Sequence, residues 1–182
     1  AEDGIRDVAV TGVQTCALPI SINVQTYYTC YSEIGSEVEK WNPQTRETAD
    51  HSLPYLLALA LIDGYVGSDS FSEARMRDPA LGALMQRISI AENPAFTREY
   101  PAKLMTQIEI VTKSGERFVE TASYAKGHAR NPMSDAEIDI KFTRMTEKLM
   151  SAERRTALLQ SLRDVDQCAD IGEIIQRMRV AD

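Results

Sequence analysis

Cysteine, histidine and tryptophan are scarce in this chain, which has three cysteines, two histidines and one tryptophan among 182 residues. The cysteines Cys16, Cys30 and Cys168 are too few and too far apart for the ligand spacing of a zinc or iron–sulfur site, so we expect no metal. Such cysteine usage is typical of a reduced, cytoplasmic protein. The longest apolar run, Leu56–Ile62, has seven residues. A membrane span needs roughly 20, so we expect no association with a membrane.

An excess of positive charge is also lacking. The formal net charge is −7, of which Glu2, Asp3, Arg6 and Asp7 contribute −2, so residues 21–182 carry −5. A mildly acidic chain argues against a nucleic-acid-binding face, which needs clustered lysine and arginine. We therefore expect no nucleic-acid partner.

The first twenty residues, Ala1–Ile20, are expected to be foreign to the protein. Ala1–Asp7 (AEDGIRD) and Val10–Ile20 (VTGVQTCALPI) resemble the two translated halves of a sequencing adapter, with a short index between them. The alternative is a natural pair of strands around Thr11-Gly12. We favour the first interpretation and exclude residues 1–20 from the fold prediction.

Hydrophobic periodicity in residues 21–125 predicts short strands mixed with helices. The clearest pattern is a β-hairpin, in which Met105–Thr112 and Arg117–Tyr124 flank a polar turn. Shorter patterns predict strands at Ile22–Tyr27 and Ile88–Ala91, and helices at Tyr28–Ile34, Tyr55–Ile62 and Asp78–Arg87. The Tyr55–Ile62 helix is apolar on all sides and should be buried. Trp41 either fills an edge of the core or faces a partner, and we favour the core. The mixture predicts an α+β fold.

Residues after about 125 predict helices alone. Ser134–Glu137 and Asp170–Glu173 each have the spacing of a capping box at a helix start. An apolar stripe follows the first of them, at Ile138, Phe142, Met145 and Leu149. The preceding hairpin offers few faces to cover, so we expect these amphipathic helices to pack on something that this sequence lacks.

The two histidines lead to the candidate substrate-binding residues. His51 lies at a predicted helix start near Arg46, and a helix N-terminus beside an arginine suits an anionic ligand. Lys126 and His128, with Arg130, form a basic loop after the hairpin that could do the same. The alternatives are a capping or packing role for His51 and a solvated turn for the loop. The sequence has no nucleophile elbow, phosphate loop, metal-binding helix or dinucleotide fingerprint, so the residues alone name no reaction.

Two longer segments carry a family resemblance. One is Trp41–Tyr55 (WNPQTRETADHSLPY), followed by Asp63-Gly64, and the other is Tyr124–Glu137 (YAKGHARNPMSDAE), followed by Lys141-Phe142. Both resemble characteristic stretches of the MmgE/PrpD family, which includes 2-methylcitrate dehydratase. The resemblance covers essentially all of residues 21–182.

The resemblance implies the C-terminal portion of a longer, cytoplasmic, homodimeric protein. Residues 21–125 would be the small α+β domain of the family, and residues 126–182 would be helices that return to an absent all-α domain. Family members act on small di- and tricarboxylates by dehydration, decarboxylation or epimerisation, without a metal or other cofactor. Most catalytic groups would lie in the absent domain, so the catalytic residues stay unassigned. Among family-matching positions, Tyr55 is expected to pack and Gly127 to serve a backbone turn.

Three hypotheses about function follow from the resemblance. The first, which we favour for the parent protein, is a hydro-lyase of the 2-methylcitrate dehydratase type, acting in propionate catabolism through the methylcitrate cycle. The second is a related decarboxylase or epimerase. The third is that these 182 residues are catalytically silent as they stand.

Overall fold

Four strands form a mixed sheet in the first part of the chain. The computed structural model describes residues 19–180. In the order β2-β1-β3-β4, the strands are β1 (Pro19–Thr26), β2 (Ile88–Glu92), β3 (Thr106–Thr112) and β4 (Arg117–Ala122). β1 runs parallel to β2 and antiparallel to β3, which pairs antiparallel with β4. Together with the helices, this sheet confirms the predicted α+β class.

The predicted foreign segment falls almost entirely outside the described residues. Its last two residues, Pro19 and Ile20, belong to β1, which therefore begins earlier than the predicted strand at Ile22. Pro19 pairs with Thr112 of β3 across a register irregularity, after which the pairing is regular from Ser21 onward.

One face of the sheet is apolar and the other is polar, as strand alternation requires. On β1, Ile22, Val24 and Thr26 are buried, whereas the intervening Asn23 and Gln25 are exposed. β3 repeats the pattern with buried Ile108 and Ile110. The predicted hairpin is confirmed, because β3 and β4 join through a turn in which Gly115 adopts φ +85°. A residue with a Cβ would be strained there.

Six α-helices and two 3₁₀ turns surround these strands in the described part of the first unit. The α-helices are α1 (Tyr28–Ile34), α2 (Arg46–Asp50), α3 (Leu53–Asp63), α4 (Glu73–Met76), α5 (Pro79–Met85) and α6 (Pro94–Glu99). The 3₁₀ turns are Val38–Trp41 and Ser68–Phe71. The predicted helices at residues 28–34, 55–62 and 78–87 correspond to α1, α3 and α5.

Helix α3 is the buried centre of the helical layer. Ser52 begins it, because its side chain accepts a hydrogen bond from the amide of Tyr55, and Gly64 ends it with φ +69°. Every residue from Leu53 to Ala60 is buried. The helix packs with α5 and with the apolar face of the sheet in one core, as its all-apolar sequence predicts.

Trp41 belongs to the edge of this core. It is half-buried, packs against the core cluster, and donates from Nε1 to the carbonyl of Gly35 across 3.0 Å. A core role, the favoured alternative, is therefore the one observed.

The chain divides into two compact units, one ending at Pro132 and the other beginning at Met133. The sequence predicts a boundary between residues 125 and 126. Residues 124–132 belong to the first unit because the end of this turn is hydrogen-bonded to its beginning. The side chain of Asn131 donates to the carbonyl of Tyr124 across 3.1 Å.

The second unit, described from 133 to 180, contains helices α7 (Asp135–Thr146), α8 (Ala152–Arg163) and α9 (Ile171–Met178), with a 3₁₀ turn at Val165–Gln167. The capping box of Ser134 and Glu137 is confirmed, with both reciprocal hydrogen bonds present. The second predicted capping box is wrong. Asp170 caps α9 by accepting from the amide of Gly172, and Glu173 makes no return bond, because the short Asp side chain reaches the nearer amide instead.

The helices of the second unit leave much of their apolar surface exposed. Leu158 and Ile174 are buried between α8 and α9, but Met145 is 68% exposed and Ile175 is 55% exposed. Ile138 and Leu149 of the predicted stripe are also exposed. An apolar stripe is present, as predicted, and nothing among the described residues of this unit covers it.

Candidate functional site

His51 lies at the junction of two helices, at the C-terminal end of α2 and just before the N-cap of α3. Its Nδ1 lies 2.6 Å from Oδ1 of Asp50 and 3.1 Å from the carbonyl oxygen of Glu47. The Glu47 carbonyl, followed by the Asp50 carboxylate, raises the pKa of His51 above its ordinary value. Both partners accept hydrogen bonds, so they favour the protonated ring.

The helix N-terminus beside His51 is already capped from within. The Ser52 hydroxyl accepts from the amide of Tyr55 across 3.2 Å, and it donates to the carbonyl of Lys40 across 2.5 Å. Ser52 is completely buried, whereas the side chain of His51 is 66% exposed. His51 is therefore a solvent-facing cation at low pH, held by the end of α2 rather than by the amides of α3.

Arg46 begins α2 and is exposed. Its guanidinium carbon lies 5.8 Å from the centre of the Phe71 ring, a cation–π contact. This contact ties α2 to the 3₁₀ turn at Ser68–Phe71. Arg46 and His51 thus occupy opposite ends of one short helix.

The basic loop after β4 is a tight, internally bonded turn, here called the basic turn and defined as Tyr124–Asn131. Gly127 adopts φ +89° and donates to the carbonyl of Asn131 across 2.8 Å, which confirms its expected role as a turn glycine. The amide of His128 donates to the carbonyl of Ala125 across 3.0 Å. The backbone of this turn is therefore fixed by its own hydrogen bonds.

The aromatic ring of Tyr124 organises the side chains of the basic turn. The ring of His128 stacks on it, with centres 4.9 Å apart and planes inclined by 23°. The guanidinium carbon of Arg130 lies 5.4 Å from the same ring centre, and one of its nitrogens donates to the Tyr124 hydroxyl across 2.7 Å. Lys126 is half-buried on the same turn. The turn therefore carries three basic side chains within five residues.

The four predicted binding residues form two separate pairs in the described part of the chain. Arg46 and His51 belong to α2 and its end, and Lys126 and His128 belong to the basic turn. The hydrogen bonds and ring contacts described for His51 and His128 go to different partners, and none joins the two histidines. The sequence predicted that Arg130 lies in the loop, but not that the ring of Tyr124 contacts His128 and Arg130. The Tyr-x₃-His spacing is the only sequence signal for that role.

A cleft that the sequence did not indicate lies beside α3. It has a volume of about 350 Å³ and is lined by Asp63, Tyr65, Asp69, Ser70 and Arg75. Arg75 pairs with Asp63 across 2.6 Å and also with Asp78, so its charge is neutralised. Because carboxylates outnumber the cation, the cleft does not suit an anionic substrate.

Across residues 19–180, no three His, Cys, Asp or Glu side chains come together as metal ligands. In the same part of the chain, none of the helices has the length and apolar character needed to cross a membrane.

A small α+β domain with a mixed sheet, followed by amphipathic helices, is the class of protein that the fold defines. The chain belongs to the MmgE/PrpD family: the family model of the MmgE/PrpD C-terminal domain matches residues 17–166. This match confirms the family resemblance.

The curated relatives are lyases. Cis-aconitate decarboxylase of Mus musculus is 24% identical over 143 residues, which cover 77% of this chain and 29% of the mouse enzyme. The 2-methylcitrate dehydratase of Escherichia coli K12 is 30% identical over 114 residues, covering 60% of this chain and 23% of that enzyme. The dehydratase of Cupriavidus necator matches similarly, at 30% identity over 115 residues. The aligned region thus spans less than a third of the length of these relatives.

Proposed function

We propose that this chain is the C-terminal part of a lyase that acts on a small di- or tricarboxylate, by dehydration of the 2-methylcitrate type. The parent enzyme would serve propionate catabolism in the methylcitrate cycle, as a cytoplasmic homodimer without a metal or other cofactor. Family membership and the dehydratase relatives support this proposal. Alone, the 182 residues would be catalytically silent.

The observation that carries the proposal is the basic turn. Substrates of the named relatives, 2-methylcitrate and cis-aconitate, bear several carboxylates that need cationic partners. Lys126, His128 and Arg130 lie on one turn whose backbone is fixed by its own hydrogen bonds. Preorganised cations and N–H donors of this kind bind carboxylates without the entropic cost of ordering a flexible loop.

We propose that the residues of this chain contribute to substrate binding. Dehydration of a 2-methylcitrate removes a proton beside a carboxylate and expels hydroxide, which needs a base, an acid for the leaving oxygen and cations for the carboxylates. Lys126 and His128, with Arg46 and His51 as the second pair, would supply positive charge and hydrogen-bond donors to the carboxylates. We propose that the base and the acid lie in the rest of the parent protein.

Decarboxylation of cis-aconitate is the second candidate. One observation favours it: the mouse and human cis-aconitate decarboxylases align over 77% and 74% of this chain, more than the 60% that the Escherichia coli dehydratase covers. The dehydratase has the higher identity over its shorter alignment. Both activities require that the carboxylates of the substrate be bound. Dehydration breaks a carbon–oxygen bond, whereas decarboxylation breaks a carbon–carbon bond.

The test uses the full-length protein that contains this segment. Dehydration of 2-methylcitrate is followed by the absorbance of the new double bond, and decarboxylation of cis-aconitate by release of CO₂. We expect the first activity, with the KM raised at least about tenfold in Lys126→Ala/His128→Ala. Lys113→Ala, in the exposed hairpin turn, is the matched control. Turnover of cis-aconitate alone would replace the first proposal with the second, and absence of both activities would refute a lyase.

A further inference from the structure

Tyr124 joins two basic side chains of the basic turn through different parts of one ring. His128 stacks on its face, and Arg130 donates to its hydroxyl. A phenol ring has few rotatable bonds, so it holds both partners at little entropic cost. The imidazole and the guanidinium are thereby placed beside each other before any ligand arrives.

The backbone of Arg130 determines which nitrogen of His128 can donate. The amide of Arg130 donates to Nδ1 of His128 across 3.0 Å, so Nδ1 acts as an acceptor. In the neutral ring the proton must then reside on Nε2. The His128 side chain is exposed, and its Nε2–H is directed away from the bond that Nδ1 makes.

Arg130 contacts a neutral side-chain hydroxyl, as does Arg177, which donates to Ser161, whereas other arginines pair with carboxylates. Arg75 pairs with Asp63 and Asp78, Arg117 with Glu109, and Arg163 with Asp139. Among the described residues, the side-chain partner of Arg130 is instead the neutral hydroxyl of Tyr124. The guanidinium is therefore held in position while its charge is not compensated by a carboxylate in this part of the chain.

We propose that Arg130 is a specificity-determining ligand for one substrate carboxylate, that His128 Nε2–H donates to the same group, and that Tyr124 is the residue that positions both. A guanidinium presents two parallel N–H groups that match the two oxygens of a carboxylate, which a spherical or tetrahedral anion does not use equally well. This inference rests on the proposed function and adds the identity of the group that is bound.

The test is an NMR titration of the full 182-residue chain with citrate. The ring ¹⁵N shifts of His128 should report a proton on Nε2 before citrate is added, and citrate should move the signals of His128 and of the Arg130 side chain. Arg130→Gln should weaken citrate binding about tenfold. Tyr124→Phe keeps the stacked ring and removes the hydroxyl, so it should weaken binding about threefold while the His128 tautomer is retained.

Three controls make the result decisive. Lys113→Gln removes the same charge at the opposite end of the hairpin and should leave citrate affinity unchanged. Triethyl citrate, which is neutral, should move neither signal. Arg130→Lys restores the charge without the planar fork and should recover affinity only in part.

The proposal is overturned if citrate leaves the His128 and Arg130 signals in place, if sulfate binds there as tightly as citrate, or if the proton resides on Nδ1. These outcomes are separable from the lyase assays. A protein that turns over neither 2-methylcitrate nor cis-aconitate can still bind citrate at Arg130, and an active enzyme can bind its substrate elsewhere.

Discussion

Tyr55 donates its hydroxyl hydrogen to the carbonyl oxygen of Ser70 across 2.7 Å, and both residues are buried. The bond ties α3 to the 3₁₀ turn at Ser68–Phe71, and burial raises the pKa of the Tyr55 hydroxyl. Tyr55 thus has the packing role expected from its position one turn into an apolar helix.

Tyr55→Phe should destabilise the protein by about 1–3 kcal/mol, because the Ser70 carbonyl would remain buried without its partner. Urea unfolding measures the change. Tyr28→Phe, at a tyrosine that is 55% exposed, is the control and should change the free energy of unfolding by less than about 0.5 kcal/mol. Equal effects in the two variants would contradict the buried bond.

Leu57→Ala should cost about 2–5 kcal/mol, since Leu57 is fully buried in the core between the helices and the sheet. Ile62→Ala lies on the same helix, where the side chain is 40% exposed, and should cost clearly less. Chemical denaturation of both variants tests the burial of α3. A comparable loss at the two positions would mean that the helix is oriented differently.

His51 should stabilise the fold at low pH and lose this effect as the pH rises. Its pKa is raised in the folded state by the Glu47 carbonyl and by Asp50, so the stabilisation is fully present below the ordinary value of 6.5 and disappears as the pH passes the folded value. The difference in Tm between the wild type and His51→Gln should therefore be larger at about pH 5.5 than at about pH 8.5. A difference that does not vary with pH would contradict the contact.

Glu109 should titrate below its ordinary pKa of 4.5, because Arg117 on the neighbouring strand donates to its carboxylate. Its contribution to stability is present above 4.5 and is lost as the pH falls through the lowered value. Arg117→Gln should bring the pKa of Glu109 back towards 4.5, which NMR titration of the side chain measures. Lys113→Gln, in the adjoining turn, should leave the pKa of Glu109 unchanged. An unchanged Glu109 pKa in Arg117→Gln would contradict the cross-strand pair.

The exposed apolar surface of the second unit should promote self-association of the 182-residue chain. Met145→Glu with Ile175→Glu should reduce both the association state in sedimentation and the binding of a hydrophobic dye, because these side chains are 68% and 55% exposed. The matched control is Leu158→Glu, at a buried position, which should unfold α8 and α9 rather than increase solubility. A monodisperse wild-type monomer would contradict the prediction.

Local signals explain which parts of the fold could be predicted. The hairpin, the buried helix α3 and the Ser134 cap depend on short-range alternation, apolar content and capping chemistry, and all three are confirmed. The register of β1 between β2 and β3 depends on contacts between distant segments, which periodicity does not encode. The capping box of Asp170 and Glu173 was wrong because the same spacing also permits a cap in which Asp170 accepts from the Gly172 amide alone.

The candidate site was predictable only as a set of residue types. The sequence predicted a basic loop from the spacing KGHAR at residues 126–130. The stacking of His128 on the Tyr124 ring and the hydrogen bond that fixes Nδ1 of His128 depend on the three-dimensional turn. The acidic cleft at Asp63 and Arg75 was missed because its lining residues, which are spread over 13 positions, meet only after α3 and α4 fold.

The central position of β1 has a consequence for how the chain folds. β1 pairs with β2 on one side and with β3 on the other. Ile22 of β1 lies opposite Ile88 of β2 and Ile110 of β3, so both partner strands are more than sixty residues away in sequence. The hairpin of β3 and β4 can form early from local contacts, whereas β1 can dock only after a long loop has closed. Until that step, β2 and β3 each present an open strand edge, and such edges invite pairing with other chains. Slow docking of β1 would therefore be the stage at which this protein is most exposed to aggregation during synthesis or refolding.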